Sequence, residues 1–301
     1  MVAEPQRPGR GGPVGQRAGS DPPALPFGER VVEAVGALGP LCVGIDPSAS
    51  LLSRWGLPDD VSGLGEFGSR CLHAFAGVVP VVKPQVAFFE RHGAAGIGVL
   101  EKLLGEARQA GLLVIADAKR GDIDNTSAAY ADAWLRDGSP LAADAVTVNP
   151  YLGLGALRPM TAMAVATGRG VVVVVRSSNP EGRLLQEAVT AAGDSVEDAL
   201  LAEVAALNAA EGAAVGSVGV VVGATLEPSG FELSGLGGII LAPGVGAQGA
   251  GPSDVARLFG GCPGGTVLPN VSRSVLSHGP DVAELRAAAI RARDGIAAAN
   301  A

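Results

Sequence analysis

Apolar residues in this chain recur as eight short, continuous runs instead of alternating with polar ones. The runs are rich in Val, Leu and Ile and cover residues 41–45, 78–82, 112–116, 145–148, 171–175, 218–222, 238–242 and 266–268. Continuous runs of this length predict strands that are buried on both faces, as in a parallel sheet.

Most of these runs are followed by a polar or Gly-rich turn and then by an Ala/Leu-rich segment with helical spacing. The segments predict helices over residues 66–76, 96–110, 126–136, 156–166, 196–210, 252–259 and 281–299. The expected cap or first-turn residues are Asp124 or Asn125, Ser195, Ser253 and Asp281, and Gly111 is the expected helix stop.

Eight strand-then-helix units predict an α/β fold, a (β/α)8 TIM barrel that forms a single domain over residues 28–301. A doubly wound open sheet is the main alternative. Residues 1–27 are dominated by Pro, Gly and Arg and have no apolar period, so they predict a disordered N-terminal extension and not a secretion signal. The arginines of this extension could instead touch an anionic partner.

Composition narrows the function classes. The net charge is −8 with no basic stripe, which argues against a nucleic-acid partner. The three cysteines show no CxxC spacing and the three histidines no HxH or HExxH pattern, so we expect reduced thiols in a cytoplasmic protein and no metal site. No apolar stretch is long enough to cross a membrane.

Polar residues gather where the predicted strands end. They are Asp46, Lys83, Asp117, Lys119, Asn149, Ser177, Ser178, Gln248 and Arg273. Barrel enzymes build their active sites at this rim, whereas an open sheet would spread the same ends along a line. Neither a GxGxxG nor a GxxxxGK[ST] fingerprint is present, which weakens a dinucleotide or P-loop interpretation.

The segment around Asp117 and Lys119 is the most informative stretch of the sequence for locating a functional site. Side chains at positions i and i+2 of a strand share a face, so these two charges point the same way, and Lys83 could reach them if its strand lies next to theirs. Buried charges cost free energy unless they are paired. The cluster therefore predicts a catalytic site, with a structural ion-pair network as the alternative.

Two late loops indicate a phosphate site. The Gly-rich loop with Gln248 follows the seventh predicted strand, and the loop with Arg273 follows the eighth. Barrels commonly bind phosphate there through backbone N–H groups and an arginine, although ordinary turn chemistry is the alternative. Asp46 suits sugar hydroxyls or a loop cap, and Ser177 or Ser178 suits a polar ring edge. Residues 179–193 form a long connection, either a lid or a surface insertion.

Taken together, these residues resemble orotidine 5′-phosphate decarboxylase, in its longer bacterial branch. The resemblance rests on GID at 44–46, VKPQ at 82–85, ADAKRGD at 116–122, VNPYLG at 148–153 and RSSNP at 176–180, with Ile123 and Thr126 completing DxKxxDIxxT. It spans residues 41–273. Asp124 departs from the small residue usual there, but a negative charge is tolerated near a helix start.

The resemblance implies decarboxylation of orotidine monophosphate to uridine monophosphate, the last step of de novo uridine monophosphate synthesis, without metal or organic cofactor. By resemblance, Lys83, Asp117, Lys119 and Asp122 form an alternating Lys-Asp-Lys-Asp array, with Lys119 as proton donor. Asp46 would bind ribose, Ser178 the pyrimidine, and Gln248 with Arg273 the phosphate. Asp122 and Thr126 would enter the site from a partner subunit, which implies a homodimer.

Three rival functions remain on the residues alone. An aldolase requires a neutral lysine for a Schiff base, and neighbouring carboxylates keep Lys119 charged. A sugar-phosphate decarboxylase typically requires a metal, for which the chain offers no evident ligand set beyond carboxylates. A regulatory barrel without catalysis predicts a changed charge type in the array, yet all four positions are Lys or Asp.

Overall fold

The computed structural model describes residues 25–226, 232–246 and 249–299, and it contains a closed barrel of eight parallel strands in sequence order. The strands are β1 Cys42–Ile45, β2 Val81–Pro84, β3 Leu113–Arg120, β4 Ala145–Val148, β5 Gly170–Arg176, β6 Val218–Val222, β7 Ile240–Pro243 and β8 Val267–Val271. Cys42 of β1 pairs with both Val81 and Asn270, which closes the ring. The predicted (β/α)8 barrel is confirmed, and the open-sheet alternative is wrong.

Helices surround the barrel. They are α1 Phe27–Leu38, α2 Ala49–Arg54, α3 Val61–Phe75, α4 Ala87–Glu90, α5 Gly93–Gln109, α6 Asp124–Leu135, α7 Arg158–Thr167, α8 Arg183–Gln186, α9 Val196–Glu211, α10 Pro252–Phe259, α11 Arg273–Leu276 and α12 Val282–Ala299. Short 3-10 turns occupy Leu154–Leu157 and Pro180–Gly182. Ser195 caps α9 by accepting from the Asp198 N–H, and Asp281 accepts from the Glu284 N–H at the start of α12.

Several predicted strands differ from the observed ones at their ends, and two of these differences concern the site residues. Residues 78–82 were expected as the second strand, but the N–H groups of Val78 and Val79 bond back to the Phe75 carbonyl, so these residues form a turn after α3 and β2 begins at Val81. The third strand was expected to end at residue 116. It continues to Arg120 because Arg120 pairs with Val148 beyond a register shift. These extensions place Lys83, Asp117 and Lys119 inside strands.

The core has two parts. One fills the space between the strands and the outer helices, and the other fills the barrel interior, where Ile115 and Ala145 are fully buried. Phe27, Val31 and Val35 of α1 belong to the interior part, so α1 closes the N-terminal mouth of the barrel. Phe27 lies against Gly170, where an added Cβ would come within 2.3 Å of the ring. Packing at this mouth leaves the opposite rim for chemistry.

The predicted extension 1–27 falls mostly outside the described residues, which begin at Leu25. Among the helices of the described ranges, none combines the length and the apolar character that crossing a membrane requires.

Candidate active site

Strand β3 delivers charged side chains to the barrel interior because of its alternation. Leu113 and Ile115 pack in the interior cluster, whereas Val114 and Ala116 pack in the outer one. Asp117 follows in the inward register and is 7% exposed. The same alternation that buries apolar residues lower in the barrel therefore places a carboxylate at its carboxyl rim.

Asp117 is the centre of a hydrogen-bonded cluster. Its Oδ2 accepts from Lys83 Nζ at 2.8 Å and from Gln85 Nε2 at 3.0 Å. Its Oδ1 accepts from Lys119 Nζ at 2.6 Å and from Thr147 Oγ1 at 2.9 Å. Lys83 is buried, whereas the side chain of Lys119 is 49% exposed. Lys119 is therefore the more accessible cation of this cluster.

The lysines and carboxylates of this cluster keep one another charged. Burial alone would raise the pKa of Asp117, but the ammonium groups of Lys83 and Lys119 outweigh it and hold that pKa well below the usual range. Burial would likewise lower the pKa of Lys83, yet the carboxylates of Asp117 and Asp46 raise it above its ordinary value. Asp117 and Lys83 are thus both charged at neutral pH.

The backbone of Lys119 is unusual for a residue with a side chain. Its φ is +46°, in the left-handed region. The Lys119 N–H donates to Thr147 Oγ1 at 2.9 Å, so the Thr147 hydroxyl holds both the lysine backbone and the Asp117 carboxylate. At Gly121, an added Cβ would lie 2.4 Å from the Asn149 carbonyl oxygen, which only glycine avoids. Non-glycine residues in such conformations concentrate at functional sites.

Asp46 lies just beyond β1 with an unused acceptor. Its Oδ1 is buried and has no hydrogen-bond partner within the described part of the chain. Below it, Gly44 leaves room: an added Cβ would lie 2.0 Å from Ser272 Oγ and 3.2 Å from this Oδ1. A buried carboxylate oxygen without a donor suits a hydroxyl of a ligand.

Asp122 and Thr126 are not brought to the cluster of their own chain. Asp122 Oδ1 accepts from the Ile123 N–H at 2.8 Å, and Thr126 is exposed in the first turn of α6. Asp124 is the first helical residue and also has a positive φ, +47°. The Lys-Asp-Lys part of the predicted array is therefore assembled within the chain, and its fourth member faces outward.

The loop after β5 separates the two serines. Ser177 is engaged by Gln186, which accepts from the Ser177 N–H at 3.2 Å and donates to its Oγ at 2.9 Å. Ser178 packs on Gly223 at the end of β6, where an added Cβ would meet the Ser178 nitrogen at 3.2 Å. Ser177 is thus bonded to Gln186 of the segment 179–193, and Ser178 lies beside the end of β6.

The buried Arg176 connects residues 179–193 with α9. Arg176 Nη1 lies 2.7 Å from Glu197 Oε2 of α9, and its other terminal nitrogen pairs with Glu187. Leu184 is 82% and Val189 72% exposed in the same segment. Residues 179–193 are thus tied to Arg176 through Glu187 and expose apolar side chains, and their role as a lid stays a prediction.

The predicted phosphate site is described in part. Arg273 is exposed as the first residue of α11. The loop after β7 approaches it: Gly246 has φ +80°, and an added Cβ there would lie 2.9 Å from Ser274 Oγ. Gln248 lies outside the described residues. Within the described ranges, no group of three or more His, Cys, Asp or Glu side chains is placed to hold a metal ion.

Two members of the cluster are not among the residues that the sequence predicted for the site. Thr147 occupies the inward position of Ala145–Val148, where its neighbours in the run are apolar, and a hydroxyl at that position is a usable signal. Gln85 follows β2 two residues after Lys83 and shares its carboxylate partner. Period-two alternation carried through each strand would have found both residues.

Comparison with known proteins agrees with this geometry. The profile of the orotidine 5′-phosphate decarboxylase / HUMPS family matches residues 39–288. The Streptomyces coelicolor orotidine 5′-phosphate decarboxylase is 54% identical over 267 residues, covering 88% of this chain and 95% of that protein. The Corynebacterium efficiens protein of the same name is 53% identical over 265 residues, covering 87% and 94%.

A crystal structure from Streptomyces avermitilis, described as an orotidine 5′-phosphate decarboxylase, superposes with a TM-score of 0.88 at 53% identity, covering 92% of this chain and 96% of that one. Matches of this identity over most of the chain establish the assignment: the chain belongs to the orotidine 5′-phosphate decarboxylase / HUMPS family.

Proposed function

We propose that this protein decarboxylates orotidine 5′-phosphate to uridine 5′-phosphate, with Lys119 as the proton donor and without a metal or organic cofactor. The observation that carries the proposal is the Asp117 carboxylate held between a buried ammonium, Lys83, and a half-exposed one, Lys119. Family membership and relatives of that name at about 53% identity support the same reaction class, a carboxy-lyase.

The cluster suits the chemistry of this reaction. Loss of carbon dioxide leaves an electron pair on carbon 6 of the pyrimidine, which requires a nearby cation and then a proton. Lys119 supplies both, first as a positive charge and then as general acid. Lys83 cannot exchange with it in this role, because its side chain is only 6% exposed.

Asp117 has a separate role in the proposed reaction. Its carboxylate stays ionised because of the two lysines, so a substrate carboxylate placed beside it meets a like charge. Repulsion of this kind raises the energy of the bound substrate relative to the transition state, in which the departing group loses its charge. Gln85 and Thr147 prevent Asp117 from turning away, since each donates to one of its oxygens.

The remaining rim residues anchor the nucleotide. Asp46 accepts from ribose hydroxyls through its unpartnered Oδ1, and Ser178 contacts the pyrimidine edge. Arg273 and Gln248 bind the phosphate. Binding energy gained at the phosphate, remote from carbon 6, can be used to raise kcat.

A homodimer completes the site in this proposal. Asp122 and Thr126 would enter the partner's site as the fourth member of the array and an added hydrogen-bonding group. Large apolar side chains lie exposed on the same rim: Ile123 is 51%, Tyr151 74% and Leu152 54% exposed. Apolar exposure of this kind marks a surface that packs against another chain. A small nucleotide is the expected partner in a cytoplasmic setting, with no nucleic acid and no membrane.

The test is a spectrophotometric assay of the wild-type protein with orotidine 5′-phosphate in the presence of a chelator. We expect turnover to persist with chelator. Lys119→Ala should abolish turnover while uridine 5′-phosphate binding stays measurable by calorimetry. The control is Lys102→Ala, since Lys102 is 77% exposed and pairs with Glu106 one helical turn away. Near wild-type turnover in Lys119→Ala would refute the proton-donor role.

A borohydride trap separates the aldolase alternative. A Schiff-base enzyme would form a covalent adduct with a carbonyl substrate at Lys119, whereas the decarboxylase proposed here would form none. Mass spectrometry of the trapped protein reads out the result.

A further inference from the structure

We propose that Arg120 is a positioning residue that fixes the backbone of Lys119 from the outer side of the barrel, an inference that rests on the proposed role of Lys119. With φ at +46°, Lys119 adopts a conformation that L-residues avoid. Such a conformation persists only where the surroundings over-determine it. On the inner side, Thr147 accepts from the Lys119 N–H. The outer side requires a second anchor.

The side chain of Arg120 is that anchor. Its guanidinium carbon lies 5.9 Å from the Tyr130 ring centroid and 5.8 Å from that of Trp134, both on α6. The same guanidinium pairs with Glu90 at the end of α4 and donates to the Ala118 carbonyl at 3.3 Å. Stacked and ion-paired at once, an arginine in this position has little freedom to turn.

The backbone of Arg120 is fixed as well. Its carbonyl accepts from the Asn149 N–H at 2.8 Å, beyond the register shift that follows Ala116 in β3. Lys119 therefore lies between Arg120, which is tied to β4, and Ala118, whose carbonyl accepts from the Arg120 guanidinium at 3.3 Å. With both neighbours held, the direction in which the Lys119 side chain leaves the strand is set.

The ion pair of Arg120 also links two parts of the catalytic cluster. Glu90 belongs to α4, which follows β2 and therefore Lys83 along the chain. The Val86 N–H just before α4 donates to the Asp117 carbonyl at 3.3 Å. Arg120 and Glu90 thus close a second connection between the strand of Lys83 and that of Lys119, outside the site.

From this arrangement we expect Arg120 to act on the chemical step and not on substrate affinity. Arg120 points away from the barrel interior, so it touches no group proposed to bind the nucleotide. Without its guanidinium the Lys119 backbone can relax, and the ammonium then spends less time at the reacting carbon. A displacement of about 1 Å at a catalytic group lowers the rate by up to about 100-fold.

The test compares Arg120→Met with Arg120→Lys and with a matched control, Arg169→Met. Arg169 has the same kind of partners: it pairs with Asp137 at 2.9 Å and donates to the Ala143 carbonyl at 2.7 Å, but it lies at the N-terminal end of β5. The measurements are kcat and KM for orotidine 5′-phosphate and the Tm of each variant.

We expect Arg120→Met to lower kcat by about 10- to 100-fold with KM within about 3-fold of wild type. Arg120→Lys should recover most of the loss, because lysine keeps the charge beside Glu90 and the aromatic rings. Arg169→Met should lower Tm without changing kcat. A kcat within about 2-fold of wild type in folded Arg120→Met would overturn the inference.

If Arg120→Met does not fold, Glu90→Gln provides the test instead. This variant removes the ion pair with Arg120 and keeps the shape of the Glu90 side chain. A fall in kcat of at least about 3-fold at unchanged KM supports the inference, and an unchanged kcat overturns it. A wild-type protein without decarboxylase activity would refute the proposed function before any variant is compared. An active wild type with an unaffected Arg120→Met would refute the positioning role alone.

Discussion

The hydroxyl of Thr147 bonds both the Lys119 backbone and the Asp117 carboxylate, and its removal is the most direct test of the proposed site geometry. The residue is 1% exposed. Its Oγ1 donates to Asp117 Oδ1 and accepts from the Lys119 N–H, both at 2.9 Å. Thr147→Val keeps the branched shape but leaves the Lys119 N–H without its acceptor. We expect a loss of both stability and turnover.

The size of the stability loss follows from the two bonds. A hydrogen bond to a charged group contributes about 1.5–3 kcal/mol and a neutral one about 0.5–1.5 kcal/mol, so the free energy of unfolding should fall by about 2–4.5 kcal/mol. Unfolding entropy of about 2.1 cal/mol/K per residue gives roughly 0.6 kcal/mol/K for a chain of this length. Tm should therefore fall by about 3–7 °C.

Calorimetry and steady-state kinetics together check this expectation, with Thr161→Val as control. Thr161 is also buried, at 6% exposure, but its hydroxyl donates to a carbonyl of its own helix, that of Arg158 at 3.2 Å in α7. The control should lose less than about 1.5 kcal/mol and keep its kcat. Thr147→Val should lower kcat by about 10-fold, because Lys119 loses its inner anchor. An unchanged kcat together with a Tm within about 1 °C of wild type would refute the proposed role of the hydroxyl.

Three further outcomes are expected. Glu197→Gln leaves the buried Arg176 with one carboxylate, so unfolding in urea should require about 2 kcal/mol less and protease should cut residues 179–193 faster. Burial raises the pKa of Cys42 from 9.0 to about 12. Above pH 9 the unfolded state ionises first, so relative to Cys42→Ala the wild type should lose about 1.4 kcal/mol of stability by pH 10. Gly121→Ala should lower Tm and kcat, whereas Gly155→Ala, which meets nothing within 4 Å, should not.

A specific result would contradict each of these three expectations. Equal protease resistance of Glu197→Gln and wild type would mean that the arginine clamp does not hold the insertion. A constant stability difference between wild type and Cys42→Ala from pH 7 to pH 10 would show that this thiol does not resist ionisation in the fold. Equal Tm values for the two glycine variants would contradict the close approach at Gly121.

The barrel itself was predictable because burial on both faces leaves a direct trace in the sequence. Each of the eight apolar runs overlaps a strand, and the long helices carry regular apolar spacing. The four- to six-residue helices α2, α4, α8 and α11 are too short for any periodicity to show. Helix α1 was not predicted although Val31 and Val35 are one turn apart, because the Pro/Gly-rich segment before it gives no recognisable signal for a helix start.

The charged cluster was predictable where period-two alternation was applied. That rule places Asp117 and Lys119 on one face, and Lys83 joins them from the neighbouring strand. Thr147 was missed because the alternation was not followed into β4, where Thr147 shares the inward face with Ala145. The left-handed backbone of Lys119 is held by Thr147 of β4, and no local pattern encodes a contact between distant elements.

Helix α1 seals one mouth of the barrel, and this has a practical consequence for handling the enzyme. Ala297, near the end of α12, lines the same small cavity as Val35 and Pro40, so both ends of the described chain lie on the face opposite Lys119. A solid support attached beside Leu25 or Ala299 would lie on the face of the barrel opposite the rim that carries Lys119. The protein is therefore suited to oriented immobilisation at these positions, with the Lys119 rim open to the solution.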